Sequence, residues 1–370
     1  MRLTRLEISG VRNLTSVAID CSPALNLFTG PNGAGKTSLI EAVHLLARGR
    51  SFRSASVSTV IQHGLESLTV YAGFDDEHRG RLKAGIVRHR NNRSELQLNG
   101  VAERRLSEVA RLMPIQLILP DSSALILGAP TERRRFIDWG TFHVEPSYLD
   151  RLRDYQRVLQ QRNALLKSRR DALPDFGRQL QSWTIKLIAF GAQIDTARRG
   201  YLDVLSPLIV AKLSELASDL DVTVSYRPGW RDGETFEDCL SEGEARDVKF
   251  GLTHYGPHRA DLRILIGTEA AAATLSRGQA KIVASAFRLA QATLTSEIAG
   301  RQSLFLIDDI GAELDVAHNA RFFRALEAMD SQVFATATSD MAMGLAFARH
   351  KRQLFHVEQG ACHPIGTEGL

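Results

Sequence analysis

Residues 30–37 read Gly-Pro-Asn-Gly-Ala-Gly-Lys-Thr, and no other stretch constrains the fold as tightly. The spacing is that of a phosphate-binding loop, which turns sharply between a strand and a helix. Gly30, Gly33 and Gly35 let the backbone approach a polyphosphate with no side chain in the way. The freed N–H groups and the positive end of the following helix then cradle anionic oxygens. Lys36 has the reach for β- and γ-phosphates, and the Thr37 hydroxyl is a Mg²⁺ ligand type. Asn32 and Ser38 complete the candidate nucleotide-binding set. The flanks agree: the apolar run 24–29 predicts the entering strand, and Leu39, Ile40, Val43, Leu45 and Leu46 predict the leaving helix.

The chain has 370 residues, 44% of them hydrophobic and 24% charged. That composition supports a packed core and excludes a disordered chain. A net charge of +4 permits an acidic partner such as nucleic acid without requiring one. Cys21, Cys239 and Cys362 are far apart and lack zinc spacing, so free thiols in a reducing cytoplasm are expected. The N-terminus alternates like a half-buried strand and lacks the apolar stretch of a signal peptide. With no run of about 20 apolar residues to span a bilayer, a cytoplasmic protein without membrane contact is expected.

Residues 68–75, 81–89 and 94–99 alternate polar with apolar, and Asn91-Asn92 predicts a hairpin turn between the last two. From about Asp121 the texture becomes helical. Leu149, Leu152, Val158, Leu159, Leu165 and Leu166 mark one helix. Trp183, Leu187, Ile188 and Ile194 suggest a second, and Leu202 to Leu216 a third. The longest is expected at roughly 20–25 residues, or about 30–38 Å. The acidic stretch 232–247 looks like a loop or linker. The expected organisation is a head, first part, at 1–120, a helical arm at 121–248, and a head, second part, at 249–370.

A second nucleotide element is Leu304-Phe305-Leu306-Ile307-Asp308-Asp309, an apolar run ending in two carboxylates. A buried strand of this kind beside a phosphate loop holds the Mg²⁺ shell. Asp308 is the candidate metal carboxylate, and Asp309 is placed to orient or activate a water. Between the two elements lies Leu275-Ser276-Arg277-Gly278-Gln279. Ser276 and Gln279 have capping-box spacing before an apolar helix over 282–294, and such a helix start also suits an anion. In ABC-type ATPases a signature of this kind meets the γ-phosphate held by the other protomer.

The ordered set of motifs resembles the RecF family, bacterial recombination-repair ATPases related to the SMC and Rad50 heads. The residues carrying the resemblance span nearly the whole chain: Ile8 to Leu14, the phosphate loop, Gly49-Arg50-Ser51-Phe52-Arg53, Pro114 to Ile118, and Arg133 to Gly140. Gly256-Pro257-His258-Arg259, the signature at 275–279, and Ile307-Asp308-Asp309 through Glu313-Leu314-Asp315 complete them. The implied fold is α/β, an ABC-type P-loop ATPase head of mixed sheets with flanking helices and an inserted helical arm.

The resemblance implies that Gln116 is the glutamine linking Mg²⁺ and γ-phosphate to the arm. It makes Asp315 part of the loop that crosses a dimer interface, and places Arg12 and Asn13 near the base of the nucleotide. Arg50 or Arg53 would reach phosphate. It implies ATP and Mg²⁺ as cofactors and an ATP-dependent homodimer with Ser276, Gly278 and Gln279 on the partner's nucleotide. It further implies duplex DNA and single-strand/duplex junctions as ligands, and RecR and RecO as partners in loading RecA during the response to DNA damage. Asp309 stands where fast ABC motors carry Glu, and the switch histidine is absent after 333–338, where Thr336 and Thr338 stand. Both departures imply slow hydrolysis.

Residues 131–170 hold ten Lys/Arg against five Asp/Glu. This is either a solvated helix face or a phosphate-contacting surface, with Arg133, Arg134, Arg151 and Arg157 as candidates. The aromatics are scattered and form no interleaved run, which favours duplex-backbone contact over a single-strand grip. Two alternatives stay open: an ABC transporter ATPase subunit, and a DNA-binding module with a vestigial ATP site. In transporter subunits the signature follows the phosphate loop far more closely than the 240 residues between Lys36 and Ser276.

Overall fold

The computed structural model describes residues 1–77, 79–168, 175–310, 316–338 and 352–365. The chain divides into two units: Met1–Ser122, Glu215–Ala217 and Lys281–Leu370 form the first, and Ser123–Ser214 with Ser218–Ala280 the second.

The first unit opens with β1 (Arg2–Val11), β2 (Leu14–Asp20) and β3 (Leu25–Thr29), then α1 (Lys36–Arg48). β4 (Ser67–Asp76), β5 (Gly80–His89), β6 (Ser94–Leu98), β7 (Val101–Glu103), α2 (Leu106–Leu112) and β8 (Ile115–Ile118) follow. One antiparallel sheet has the order β2-β1-β4-β5-β6-β7. The alternation that predicts these strands is the alternation of burial: Leu6 and Ile8 are inside, Glu7 and Ser9 outside. A bulge between Leu3 and Arg5 shifts the pairing with β4, and that extra residue breaks the alternation at the start of β1. The hairpin turn lies at the expected place, with Asn92 at φ 65°.

The second unit holds α3 (Ala124–Leu127), α4 (Pro130–Val144), α5 (Tyr148–Lys167), α6 (Phe176–Leu216), β9 (Val222–Arg227) and α7 (Phe236–Phe250). It continues with β10 (Asp261–Ile266), β11 (Glu269–Ala270) and α8 (Ala271–Thr274), to the start of α9 (Arg277–Ala299). Three expectations are corrected here. The two helices expected over 183–194 and 202–216 are one helix of 41 residues, about 60 Å long. Its buried stripe of Leu187, Ile194, Leu202, Leu205, Ile209 and Leu213 runs without interruption, so packing carries the helix past Pro207 despite the lost N–H bond.

The acidic stretch is helix α7 rather than a linker. Thr235 caps it by accepting from the Asp238 amide, and Glu237 and Asp238 sit in its first turn, where negative charge suits the helix dipole. Cys239, Leu240, Gly243 and Asp247 form its buried face. The second unit also extends past residue 248 to Ala280, because β10 pairs antiparallel with β9 along its full length. Buried ion pairs tie this unit together. Arg162 Nη1 donates to Asp247 Oδ2 and to Thr253 Oγ1, both at 2.7 Å. Arg198 Nη2 lies 2.8 Å from Asp138 Oδ1, and its Nη1 donates to Pro257 O at 2.7 Å.

The chain returns to the first unit with β12 (Leu304–Ile307), α10 (Val316–Ala328), β13 (Gln332–Ala337), β14 (Arg352–Glu358) and β15 (Ala361–Ile365). The second sheet has the order β15-β14-β3-β13-β12-β8. It is parallel from β14 to β8. β3, β12 and β13 are buried at every position, as expected of strands covered on both faces. α1 packs into the same core as β1 and β4.

Candidate nucleotide-binding site

The site forms where β3, β13 and β12 end side by side, the edge of a parallel sheet where ligands bind. β3 delivers the chain to Gly30, whose φ is 146°. A Cβ there would lie 2.1 Å from Val357 O, so only glycine fits between loop and β14. Gly35, at φ 119°, is the N-cap of α1 and supplies no side-chain cap. The first amides of α1 therefore keep their donors for another acceptor. Gly33 has open space where a side chain would project. Lys36 Nζ donates to Gly30 O at 2.6 Å and Pro31 O at 2.9 Å, folding the cation over the loop. Burial lowers the Lys36 pKa, and Asp309 and Asp308 oppose that shift.

Across from the loop, Asp308 follows Ile307, which pairs with Ala335 on one side and Ile118 on the other. Its amide donates to Ile118 O at 3.0 Å. Asp308 Oδ1 accepts from Thr37 Oγ1 at 2.9 Å and from Thr336 Oγ1 at 2.7 Å. The same Thr336 hydroxyl accepts the Asp309 amide at 2.8 Å. Asp309 is held at φ 58°, in the left-handed region that Asp tolerates better than most residues. Thr336 thus fixes both aspartates. The sequence shows it only as a hydroxyl on an adjacent strand.

The residues fit a Mg-nucleotide. An uncapped helix start, a lysine and open glycine faces receive a polyphosphate. Thr37 and Asp308 bring a hydroxyl and a carboxylate oxygen together, the partial ligand set Mg²⁺ takes when phosphates and waters supply the rest.

Two turns that sequence reasoning did not connect brace the loop. Asn13 Nδ2 donates to Gly33 O at 3.1 Å, and Asn13 Oδ1 accepts from Ser38 Oγ at 3.2 Å. From the other side the Gly360 amide donates to Ala34 O at 2.9 Å. Gly360 has φ 81°, and a Cβ there would lie 2.1 Å from Asn13 O. The only signal in the sequence is a Gln-Gly pair between two strand patterns. Asn32 is exposed in the loop.

Other candidates sit elsewhere. Gln116 pairs with Phe305 in the sheet, three residues before Asp308 and thus about 10 Å back along the strand. It is fully buried. Its Nε2 donates to Gln291 Oε1 at 3.2 Å and its Oε1 lies 3.5 Å from Arg288 Nη1, so the sheet register directs it to α9 rather than to Thr37 and Asp308. Arg12 clamps Glu41 with Nε at 2.9 Å and Nη2 at 2.8 Å, and donates through Nη1 to Thr59 O at 2.8 Å. The hydrogen bond to Glu41 raises the Arg12 pKa. Ser51 Oγ also donates to this fully buried carboxylate, and Arg53 Nη1 approaches it at 3.8 Å. The Arg50 side chain is exposed. Asp315 lies outside the described residues.

The signature belongs to the second unit. Its capping box forms as the spacing predicts: Gln279 N donates to Ser276 Oγ at 3.2 Å and Ser276 N to Gln279 Oε1 at 3.0 Å. Ser276, Arg277 and Gly278 are exposed. In the arm, the basic run is mixed: Arg162 is buried, Arg133, Arg134 and Arg151 are half-buried, and Arg135, Arg153, Arg157 and Lys167 are exposed. Arg133 grips Asp261 through Nε at 2.7 Å and Nη2 at 3.1 Å. Arg134 Nη1 donates to Ala260 O at 2.9 Å, and Arg157 pairs with Asp154 at 3.2 Å on an exposed face.

Fold and site together define an ABC-type P-loop ATPase head with an inserted helical arm. The family model described as RecF/RecN/SMC N terminal domain matches residues 2–362, and the chain belongs to this family, in its RecF branch. It is 40% identical over 337 residues to the DNA replication and repair protein RecF of Marinomonas sp. (strain MWYL1), covering 91% of this chain and 90% of that one. It is 39% identical over 367 residues to the protein of the same name from Pseudomonas entomophila (strain L48), covering 97% of each. Among solved structures, the recombination mediator protein RecF-ATP of the RecFOR pathway superposes with a TM-score of 0.87 at 24% identity, over 99% of this chain and 98% of that one. An Smc head bound to the C-winged helix domain of ScpA gives 0.59 at 16% identity, over 99% and 97%. These structural likenesses concern the fold.

Proposed function

We propose that this chain is an ATP-dependent DNA-binding protein of recombinational repair and replication, with weak ATPase activity of the ABC type. The observation that carries the reading is the convergence of Lys36, Thr37, Asp308 and Thr336 at the strand ends. The loop amides and Lys36 bind the β- and γ-phosphates, while Thr37 and Asp308 hold Mg²⁺. Bound there, the metal neutralises charge developing on the transferred phosphoryl group. Asp309, fixed by Thr336, orients the attacking water. Its short side chain reaches less far than Glu, which supports slow hydrolysis.

Ser276, Gly278 and Gln279 of one protomer meet the γ-phosphate held by its partner, and Asp315 lies at that interface. The exposure of the α9 start supports this. The ATP-closed dimer holds duplex DNA beside single-strand gaps, in the cytoplasm, and acts with RecR and RecO toward RecA loading. The RecFOR pathway named for the similar RecF-ATP structure supports the pairing with RecR and RecO. Among the described residues no helix is long and apolar enough to cross a membrane. The match of the RecF/RecN/SMC family model to residues 2–362 gives the transporter alternative no support.

Titration of labelled ATP, with light scattering, tests the reading. Lys36→Ala should abolish binding. Ser276→Arg should bind ATP and stay monomeric. Unchanged affinity in the first would refute the phosphate site, and an ATP-driven dimer in the second would reduce the signature to a helix cap.

A further inference from the structure

Glu41 is fully buried near the middle of α1, and the proposed reaction does not use it. Its carboxylate collects donors from two segments. Arg12 Nε and Nη2 grip it at 2.9 and 2.8 Å, and Ser51 Oγ donates to the same carboxylate. Ser51 Oγ in turn accepts from the Arg53 and Ser54 amides, both at 2.9 Å, so Glu41 also fixes the turn after α1. Arg12 stands at φ 56°, a left-handed conformation that a long side chain holds only where its surroundings enforce it. The Arg12 amide donates to Val60 O at 2.7 Å, and Nη1 to Thr59 O at 2.8 Å. The next residue is Asn13, whose side-chain amide bridges Gly33 O and Ser38 Oγ. A Cβ on Gly35 would lie 3.1 Å from both Nδ2 and Oδ1 of Asn13, so the phosphate loop packs directly on that amide.

Ser38 and Glu41 stand three positions apart and so share one face of α1. That face holds two consecutive residues of the turn between β1 and β2: Arg12 through Glu41, and Asn13 through Ser38. A buried ion pair is weak grounds for stability, since apolar side chains of the same volume serve a core as well. What the carboxylate supplies is direction. Two parallel bonds to a planar guanidinium fix the angle as well as the distance. We propose that Glu41 is a positioning residue for nucleotide binding, holding Arg12 so that Asn13 keeps the phosphate loop in the shape that receives a polyphosphate. Glu41 itself has no exposed surface and acts only through Arg12 and Asn13. This role rests on the ATP site proposed above.

Full-length protein should be titrated calorimetrically with Mg-ATPγS, well below its melting temperature, in a double-mutant cycle. Glu41→Gln removes the charge and keeps the volume. It should weaken binding about tenfold, within the range for coupled neighbours, and Asn13→Ala should do the same. Adding Glu41→Gln to Asn13→Ala should change affinity by less than about twofold, because the path from Glu41 to the loop is already cut. Ser51→Ala removes one donor and spares the Arg12 grip, so it should lower the melting temperature and leave affinity unchanged. If Glu41→Gln fails to fold, Arg12→Lys keeps the charge, loses the paired bonds and enters the same cycle. Wild-type affinity in the folded Glu41→Gln variant, or losses that add in the double variant, would overturn the positioning role and leave the ATP site standing. Binding weakened as much by Ser51→Ala as by Glu41→Gln would reduce the carboxylate to a structural tie and overturn the role as well. Failure of the wild type to bind the nucleotide would overturn both the role and the site.

Discussion

Replacing Thr336 with valine isolates the hydroxyl that links the two aspartates. Valine keeps the shape and the strand preference, so the change removes two hydrogen bonds and little else. The bond to Asp308 Oδ1, at 2.7 Å, has a charged acceptor and contributes about 1.5–3 kcal/mol. The bond from the Asp309 amide, at 2.8 Å, contributes about 0.5–1.5 kcal/mol. The valine methyl, at a position 1% exposed, returns up to about 1 kcal/mol of apolar burial. The net loss is about 1–4.5 kcal/mol in the first unit.

The consequence for activity should be larger than for binding. On the proposed function, ATP affinity rests chiefly on the loop amides and Lys36, which Thr336 does not touch. Asp309, held at φ 58°, loses its amide anchor and, on the same proposal, the placement of the water. Thr336→Ser retains the hydroxyl and serves as the control. Thermal unfolding, ATP titration and single-turnover hydrolysis should be run on both variants. Thr336→Val should melt lower, bind ATP within about threefold of wild type, and hydrolyse it at least tenfold more slowly, the usual scale for one misplaced catalytic contact. Equal melting and hydrolysis in the valine and serine variants would refute the reasoning.

Three further outcomes are expected. Gly360→Ala should weaken ATP binding and lower stability by about 1–3 kcal/mol, because φ 81° and a Cβ 2.1 Å from Asn13 O force the turn off Ala34; calorimetric titration and melting would check this. Arg133→Glu should destabilise the arm by on the order of 3 kcal/mol by opposing Asp261, without changing the salt slope of duplex binding. Arg157→Glu, on an exposed face, should flatten that slope by about 0.9, and equal slopes in both would move the duplex contact off this face. Acid should destabilise the second unit through His258, whose pKa burial lowers to about 4. Its neutral form is bound in the fold, so the stability it contributes is present above its unfolded value near 6.5. It is lost as pH falls to about 4, a loss of about 3 kcal/mol. Melting curves from pH 7 to 4 should show this, and His258→Gln should reduce the pH dependence.

The local code was legible wherever neighbours in sequence are neighbours in space. The strand, loop and helix at 24–48, the hairpins of the first sheet and the capping box at Ser276 all follow from backbone sterics and short-range hydrogen bonds. So does the identity of Lys36, Thr37, Asp308 and Asp309 as candidates. Tertiary structure decided what depends on register and long-range contact. Only the pairing of Ile307 with Ala335 brings Thr336 onto Asp308, and only the pairing of Gln116 with Phe305 sets that glutamine back from the site. The full length of α6 needed a buried stripe whose partner surface no local window contains. The acidic stretch forms helix α7 with a buried face of Phe236, Cys239, Leu240, Gly243 and Asp247, and that aspartate pairs with Arg162, 85 positions away in sequence. Composition counted the arm's arginines as surface charge, yet burial turned Arg133 and Arg162 into internal ties. Charge belongs to the residues, but which groups face water is settled only when the chain has packed.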